Sequence, residues 1–257
     1  MLRDSQTFLP SHSPGQTSAR DNALARWSLP TEQLDIGTSK LRILSQRLTQ
    51  LHASERQRAI AIHDYVQRMP FGCVPDFRNL AASDVIGIGH GDCHTKGILF
   101  VALLRAAGLA ARLRFVTLPT RFLNGLIDTG SATMTHAIGE VYLANKWLQV
   151  DTYVVDTEFG NAAREKLRAQ GRQLGYGVHL LGDTHWDATD DARGQCTPAD
   201  PDSLPVVDWG VDDDVQSFYA DEEHAALRHT FGVRVKWMLA AQLVNRKVAQ
   251  IRKGSLE

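Results

Sequence analysis

The sequence predicts an α+β fold, in which N-terminal helices, one of them opening on a cysteine, pack on an antiparallel β-sheet and a helical extension follows. Apolar side chains recur at helical spacing as far as Ala107. β-Branched and aromatic residues then fill both arms of a hairpin between 135 and 155, and a long helical stretch closes the chain. With 257 residues, 43% of them hydrophobic, the chain holds enough apolar material for a substantial core.

The elements follow in order. Residues 1–20, rich in Ser, Pro and Gln, read as a flexible arm. Leu41, Leu44, Leu48 and Leu51 share one face of a helix over Ser39–Leu51. A second helix starts at Ser54, where Ser54 and Gln57 have capping-box spacing, and Pro70 stops it. Residues 71–92 read as loop, with a short helix near Ser83–Ile86. A helix over Cys93–Ala107 follows, and Gly108 suits the left-handed position past its end. Ala111–Leu118 reads as a strand. Thr135–Leu143 and Lys146–Val155 form the hairpin, with Ala144-Asn145 as its turn, and Asn accepts positive φ there. Glu158–Gln170 reads as a helix ended by Gly171. Residues 175–216 read as long loops, and Ser217–Lys253 as helix, broken at Gly232. The Asp212–Asp214 run reads as a solvated turn. We divide the chain into the arm, a core over 21–160 and an extension over 161–257 packed on that core.

Composition excludes several classes. The 28 basic and 29 acidic side chains leave a net charge of -1, and no basic block is present, so nucleic acid is not an expected partner. The N-terminus has no apolar signal core, and no stretch suits a membrane span. These features lead us to expect no membrane partner and a cytoplasmic location. Three widely spaced cysteines, Cys73, Cys93 and Cys196, indicate neither a disulfide framework nor a zinc knuckle.

Chemistry concentrates at Cys93. It follows Gly89-His90-Gly91-Asp92 and opens a helix, whose first amides lack internal partners and favour a thiolate. The same amides suit a developing oxyanion. Gly91 would let a substrate backbone approach. Lys96, one turn on, would add positive charge if it turned toward the sulfur. Taken alone, Cys93 reads better as a small buried residue, since buried structural cysteines are common. A thiol nucleophile needs a base, and the base an orienting partner. If Leu143 pairs with Lys146, His136 falls opposite Tyr153 and Ile138 opposite Asp151. His136 and Asp151 are then diagonal neighbours on one face, roughly 7–8 Å apart at the backbone. A slip of one residue would separate them. His94 is expected to be exposed.

GDCHTKGILFVALLRAAGLAARLRF and THAIGEVYLANKWLQVD resemble the core motifs of the transglutaminase-like superfamily, and HDYVQRMPF resembles its lead-in helix. The likeness spans about residues 55–155. It implies a papain-like core with Cys93 as nucleophile, His136 as general base and acid, and Asp151 as orienter of the imidazole. It also implies acyl transfer on peptide or carboxamide bonds through a thioester, without metal or organic cofactor. Hydrolysis is favoured over amine transfer, and the expected partner is a peptide, protein or amide substrate. The chain has Ile138 where many members have Trp, and Asp151-Thr152-Tyr153 where many have Asp-Pro-Thr. Its Cys-x-x-Lys helix start, completed by Lys96, resembles a bacterial subgroup. Gly91, Asp92, Lys96, Ile138 and Tyr153 are the candidate substrate and oxyanion positions.

Two rival functions are weighed. One is a non-catalytic binding domain of the same fold. The other is a metal-dependent hydrolase using His179, Asp183, His185, Asp187, Asp190 and Asp191, although that run reads more simply as a solvated acidic loop.

Overall fold

A computed structural model describes residues 23–228 and 231–254. The expected arm over 1–20 lies outside the described residues. Helices α1 (Ser39–Thr49), α2 (Glu55–Arg68) and α3 (Ala82–Ile88) surround α4 (Cys93–Ala106). Ser54 caps α2 through the full capping box, and Gly108 sits past α4 at φ 77°. From His94 to Arg105 every residue of α4 is buried. This helix is therefore the axis of the core rather than an amphipathic surface helix.

Strands β1 (Ala111–Pro119), β2 (Thr133–Leu143) and β3 (Lys146–Val150) follow. Then come α5 (Thr157–Ala169) and the two-residue pair β4 (Leu174–Gly175) and β5 (Val178–His179). Strand β6 (Val207–Asp212), α6 (Val215–Ala220) and α7 (Phe231–Arg252) complete the chain. The main sheet has the order β3-β2-β1-β6, and all its neighbours are antiparallel. Gly139 lets the sheet lie directly against the Phe100 ring of α4, because a Cβ there would come within 2.6 Å of it.

Three expectations change. Residues 207–212, assigned to loops, form an edge strand on β1; Val207, Trp209 and Val211 do alternate, but the segment lies in the stretch rich in Gly, Asp and Pro that reads as loop. The second hairpin arm ends at Val150, and Asp151–Val155 turn away. The break in the last helical stretch precedes Gly232, since α6 ends at Ala220 and α7 opens at Phe231. The acidic run is also not simply solvated. Asp213 pairs with Arg26 and Arg105, and Asp214 caps α6.

Helix α7 makes polar contacts with two segments earlier in the chain. The Asn245 amide of α7 holds the Cys73 backbone, accepting from its N–H at 2.7 Å and donating to its carbonyl at 3.1 Å. Arg252 pairs with Asp156 at 2.6 Å.

The turn between β2 and β3 sets the sheet's register. Leu143 pairs with Lys146, as the sequence predicts, while Ala144 and Asn145 take φ 46° and 68°. That twist matches the strands, but it strains an alanine. We expect Ala144→Asn to raise stability by about 0.5–1 kcal/mol and Ala144→Val to lower it by about 1 kcal/mol or more. Thermal melts followed by circular dichroism test the pair, and the reverse order would contradict a left-handed turn.

Candidate active site

The α4 N-terminus is built around Asp92. Its carboxylate accepts from the His94 and Thr95 amides at 3.2 and 3.1 Å and from the Val74 amide at 3.0 Å, while Thr95 Oγ1 accepts from the Asp92 amide. Gly91 holds the entering chain in place, exchanging backbone hydrogen bonds with Pro70 and Gly72. Cys93 then starts the helix half-buried, with the positive end of the helix behind its sulfur.

His136 comes from β2, which places it opposite Val116 of β1. Asp151 lies one residue beyond β3. The hairpin register brings them together, and His136 Nε2 lies 3.1 Å from Asp151 Oδ2 with both side chains buried. The rest of the Asp151 carboxylate is held by a segment far along the chain. The Gly194 amide donates to Oδ1 at 2.7 Å, and the Gln195 amide, oriented to donate, lies 3.0 and 2.6 Å from the two oxygens. The Phe122 ring closes on the imidazole edge-on at 6.2 Å. His136 Nδ1, the nitrogen not used by Asp151, is buried without a hydrogen-bond partner among the described residues.

A second imidazole reaches the sulfur. His94 Nδ1 lies 3.4 Å from Cys93 Sγ, and Tyr219 Oη lies 3.3 Å from His94 Nε2. The His94 ring stacks on Phe77 at 4.5 Å. His94 is therefore buried, not exposed. The helix start lies under α6, and the apolar surroundings of Phe77 and Tyr219 take the ring in.

These contacts set the protonation of the site. Burial alone would push the Cys93 thiol up, but the His94 and then the His136 imidazoles outweigh it and hold the thiol at about 6. Burial would lower His136, yet the Cys93 charge and the Asp151 hydrogen bond raise it to about 10. The pair is therefore thiolate and imidazolium between those values. Burial instead pushes the other two thiols up, Cys196 to about 11.

The remaining sequence candidates divide. Asp92 lines the cleft, but its oxygens serve the helix cap. Gly91 is required by packing, since a Cβ there would lie 2.6 Å from Thr95 Oγ1. Lys96 turns away from the sulfur, and its ammonium donates to the carbonyls of Met69 at 2.7 Å, Val154 at 3.0 Å and Gln67 at 3.4 Å. Burial lowers its pKa to about 7. It closes the end of α2 instead of charging the site. Ile138 is core, and Tyr153 stacks on Phe100 at 4.5 Å, so neither faces the cleft.

The acidic loop does not converge. His179 meets Asp200, Asp183 accepts from the Arg193 amide, Asp187 pairs with Arg56, and Asp190 pairs with Lys146. Among the described residues no three His, Cys, Asp or Glu side chains gather as metal ligands.

Beside Cys93 opens a cleft of about 770 Å³, walled by the segment after α2, the 122–127 loop, the start of β2, β6 and α7. Sequence reasoning missed Gln195, Gly194 and Tyr219. No spacing motif ties them to Cys93, and each arrives from more than forty positions away from the residue it touches.

We expect His94→Ala to slow alkylation of Cys93 by iodoacetamide at neutral pH by about tenfold, because less of the thiol is ionised. Tyr219→Phe should have a smaller effect. An unchanged rate in His94→Ala would show that this ring does not stabilise the thiolate.

Residues 42–152 match the model of the Transglutaminase-like superfamily. No curated protein matches the chain. A crystal structure of a putative cysteine protease from Cytophaga hutchinsonii is similar at 21% identity and TM-score 0.42, over 50% of this chain and 41% of that one. A putative protease from Parabacteroides distasonis is similar at 17% identity and TM-score 0.35, over 49% of this chain and 25% of the other. The chain thus spans less than half the length of either structure. The matched stretch carries α4 and the hairpin, and it is similar there to the Transglutaminase-like superfamily.

Proposed function

We propose that the protein is a cysteine-nucleophile acyl-transfer enzyme that hydrolyses peptide or carboxamide bonds, with Cys93 as nucleophile, His136 as general acid and base, and Asp151 as its orienter. The observation that carries this reading is geometric: Cys93 at a helix start and His136, hydrogen-bonded to Asp151 at 3.1 Å, line the same open cleft.

The Cys93 thiolate attacks the carbonyl carbon and forms the C–S bond. The backbone amide of Cys93, first of the helix, is oriented to receive the developing oxyanion. Imidazolium His136 gives its proton to the leaving nitrogen, the C–N bond breaks, and an amine departs from a thioester. Neutral His136 then takes a proton from water, whose oxygen attacks the same carbon. The C–S bond breaks, the carboxylic acid leaves and the thiolate returns. Asp151, fixed by Gly194 and Gln195, holds the ring through Nε2, so that Nδ1 does this work.

Water is favoured over an amine as acceptor. The only acidic side chain among the described residues lining the cleft is Asp92, whose carboxylate is committed to the helix cap. The cleft therefore offers no counter-charge for an ammonium acceptor.

We expect Cys93→Ala to abolish labelling by a thiol-directed activity probe, while Cys73→Ala and Cys196→Ala retain it. His136→Ala should reduce turnover of a peptide amide by roughly 10³-fold or more, and Asp151→Asn by less. The profile of kcat/KM against pH should rise through about 6 as the thiol ionises and fall through about 10 as His136 loses its proton. Labelling that survives in Cys93→Ala would remove the nucleophile assignment.

A further inference from the structure

The cleft that holds Cys93 has an uneven chemistry. Its walls include Phe77 from the segment before α3, Phe122 and Leu126 from the 122–127 loop, Met134 from β2, Trp209 from β6 and Val244 from α7. No lysine, arginine or glutamate is among the described residues that line it. Its one aspartate, Asp92, receives the His94, Thr95 and Val74 amides. A charged side chain entering this space away from the Cys93–His136 pair would lose its hydration and meet no lysine, arginine or uncommitted carboxylate among the described residues, whereas an apolar side chain would gain the burial of its surface. The volume of about 770 Å³ exceeds what the reacting carbonyl itself needs.

The cleft must also serve two steps. The leaving amine departs after the first, while the acyl group stays tethered to Cys93 until water arrives. Tight apolar contact is therefore best placed on the acyl side.

We infer that the cleft beside Cys93 is an acyl-donor pocket selecting an uncharged acyl group with large aliphatic or aromatic side chains next to the reacting carbonyl. This rests on Cys93 acting as the nucleophile. The chemistry is shared by apolar peptides and by fatty-acyl amides. Met134 stands half-buried on the wall only two residues from His136 and is the natural place to alter the selection.

The test uses acyloxymethyl ketones, which need an activated thiol, on the full-length protein. Three acyl groups are compared, namely Leu-Phe, decanoyl and Glu-Lys, and the modified residue is mapped by mass spectrometry. The Leu-Phe or the decanoyl ketone should modify Cys93 at least about tenfold faster than the Glu-Lys ketone. Which of the first two is faster tells a peptide donor from a lipid one. Met134→Arg should raise the rate of a fourth, Leu-Glu ketone relative to Leu-Phe, with an unchanged circular-dichroism melt as the check on folding. Equal or faster modification by Glu-Lys would overturn the pocket assignment and leave the nucleophile standing. Modification that does not depend on His136 would remove the nucleophile reading and the pocket with it.

Discussion

Two imidazoles stand against one buried sulfur, and the account of this protein depends on that contact. A thiol in an apolar wall stays protonated, because burial penalises the charged form. Cys73 and Cys196 obey that rule, with pKa values pushed up by burial. Cys93 escapes it because His94 lies 3.4 Å from its sulfur, His136 faces it from the sheet, and the first turn of α4 adds partial positive charge. Without those neighbours the same side chain would be a packing residue.

The partners of the sulfur are placed by two independent devices. The hairpin is one. A two-residue turn pairs Leu143 with Lys146 and thereby fixes which residues face each other along both arms. A slip of one would turn His136 to the other side of the sheet. The loop at Gly194 and Gln195 is the other, and it holds Asp151 where the strand has already ended. Asp92 caps α4 and ties down Val74 on the cleft wall. Local rules thus give the framework, and long-range hydrogen bonds fix the orientation of the reactive groups.

This division explains what the sequence disclosed. The helices, the register and the pairing of His136 with Asp151 were legible because periodicity, capping and turn chemistry are local. Strand β6 was not, since its short alternation is surrounded by turn-forming Gly, Asp and Pro and its pairing with β1 is set by distant residues. Lys96 was misplaced for a related reason. At a helix start a lysine looks available to the nearby thiol, but three carbonyls at the end of α2 and beyond the hairpin claim its ammonium. Ile138 and Tyr153 were judged from family positions, and the packing of α4 on the sheet takes them into the core. His94 is covered by Tyr219 of α6, a contact that no local pattern around Cys93 signals. The match over residues 42–152 covers the cysteine helix and the hairpin but not Gly194, Gln195 or Tyr219, so the extension contributes to the site from outside the matched region.

The central claim is the ionisation of one sulfur, and a spectroscopic titration reads it without any substrate. In the Cys73→Ser/Cys196→Ser protein, the ultraviolet absorbance of the thiolate can be followed against pH. The account requires a single transition centred near 6, lost in Cys93→Ala. A transition centred near 9, the ordinary value for a thiol, would contradict it.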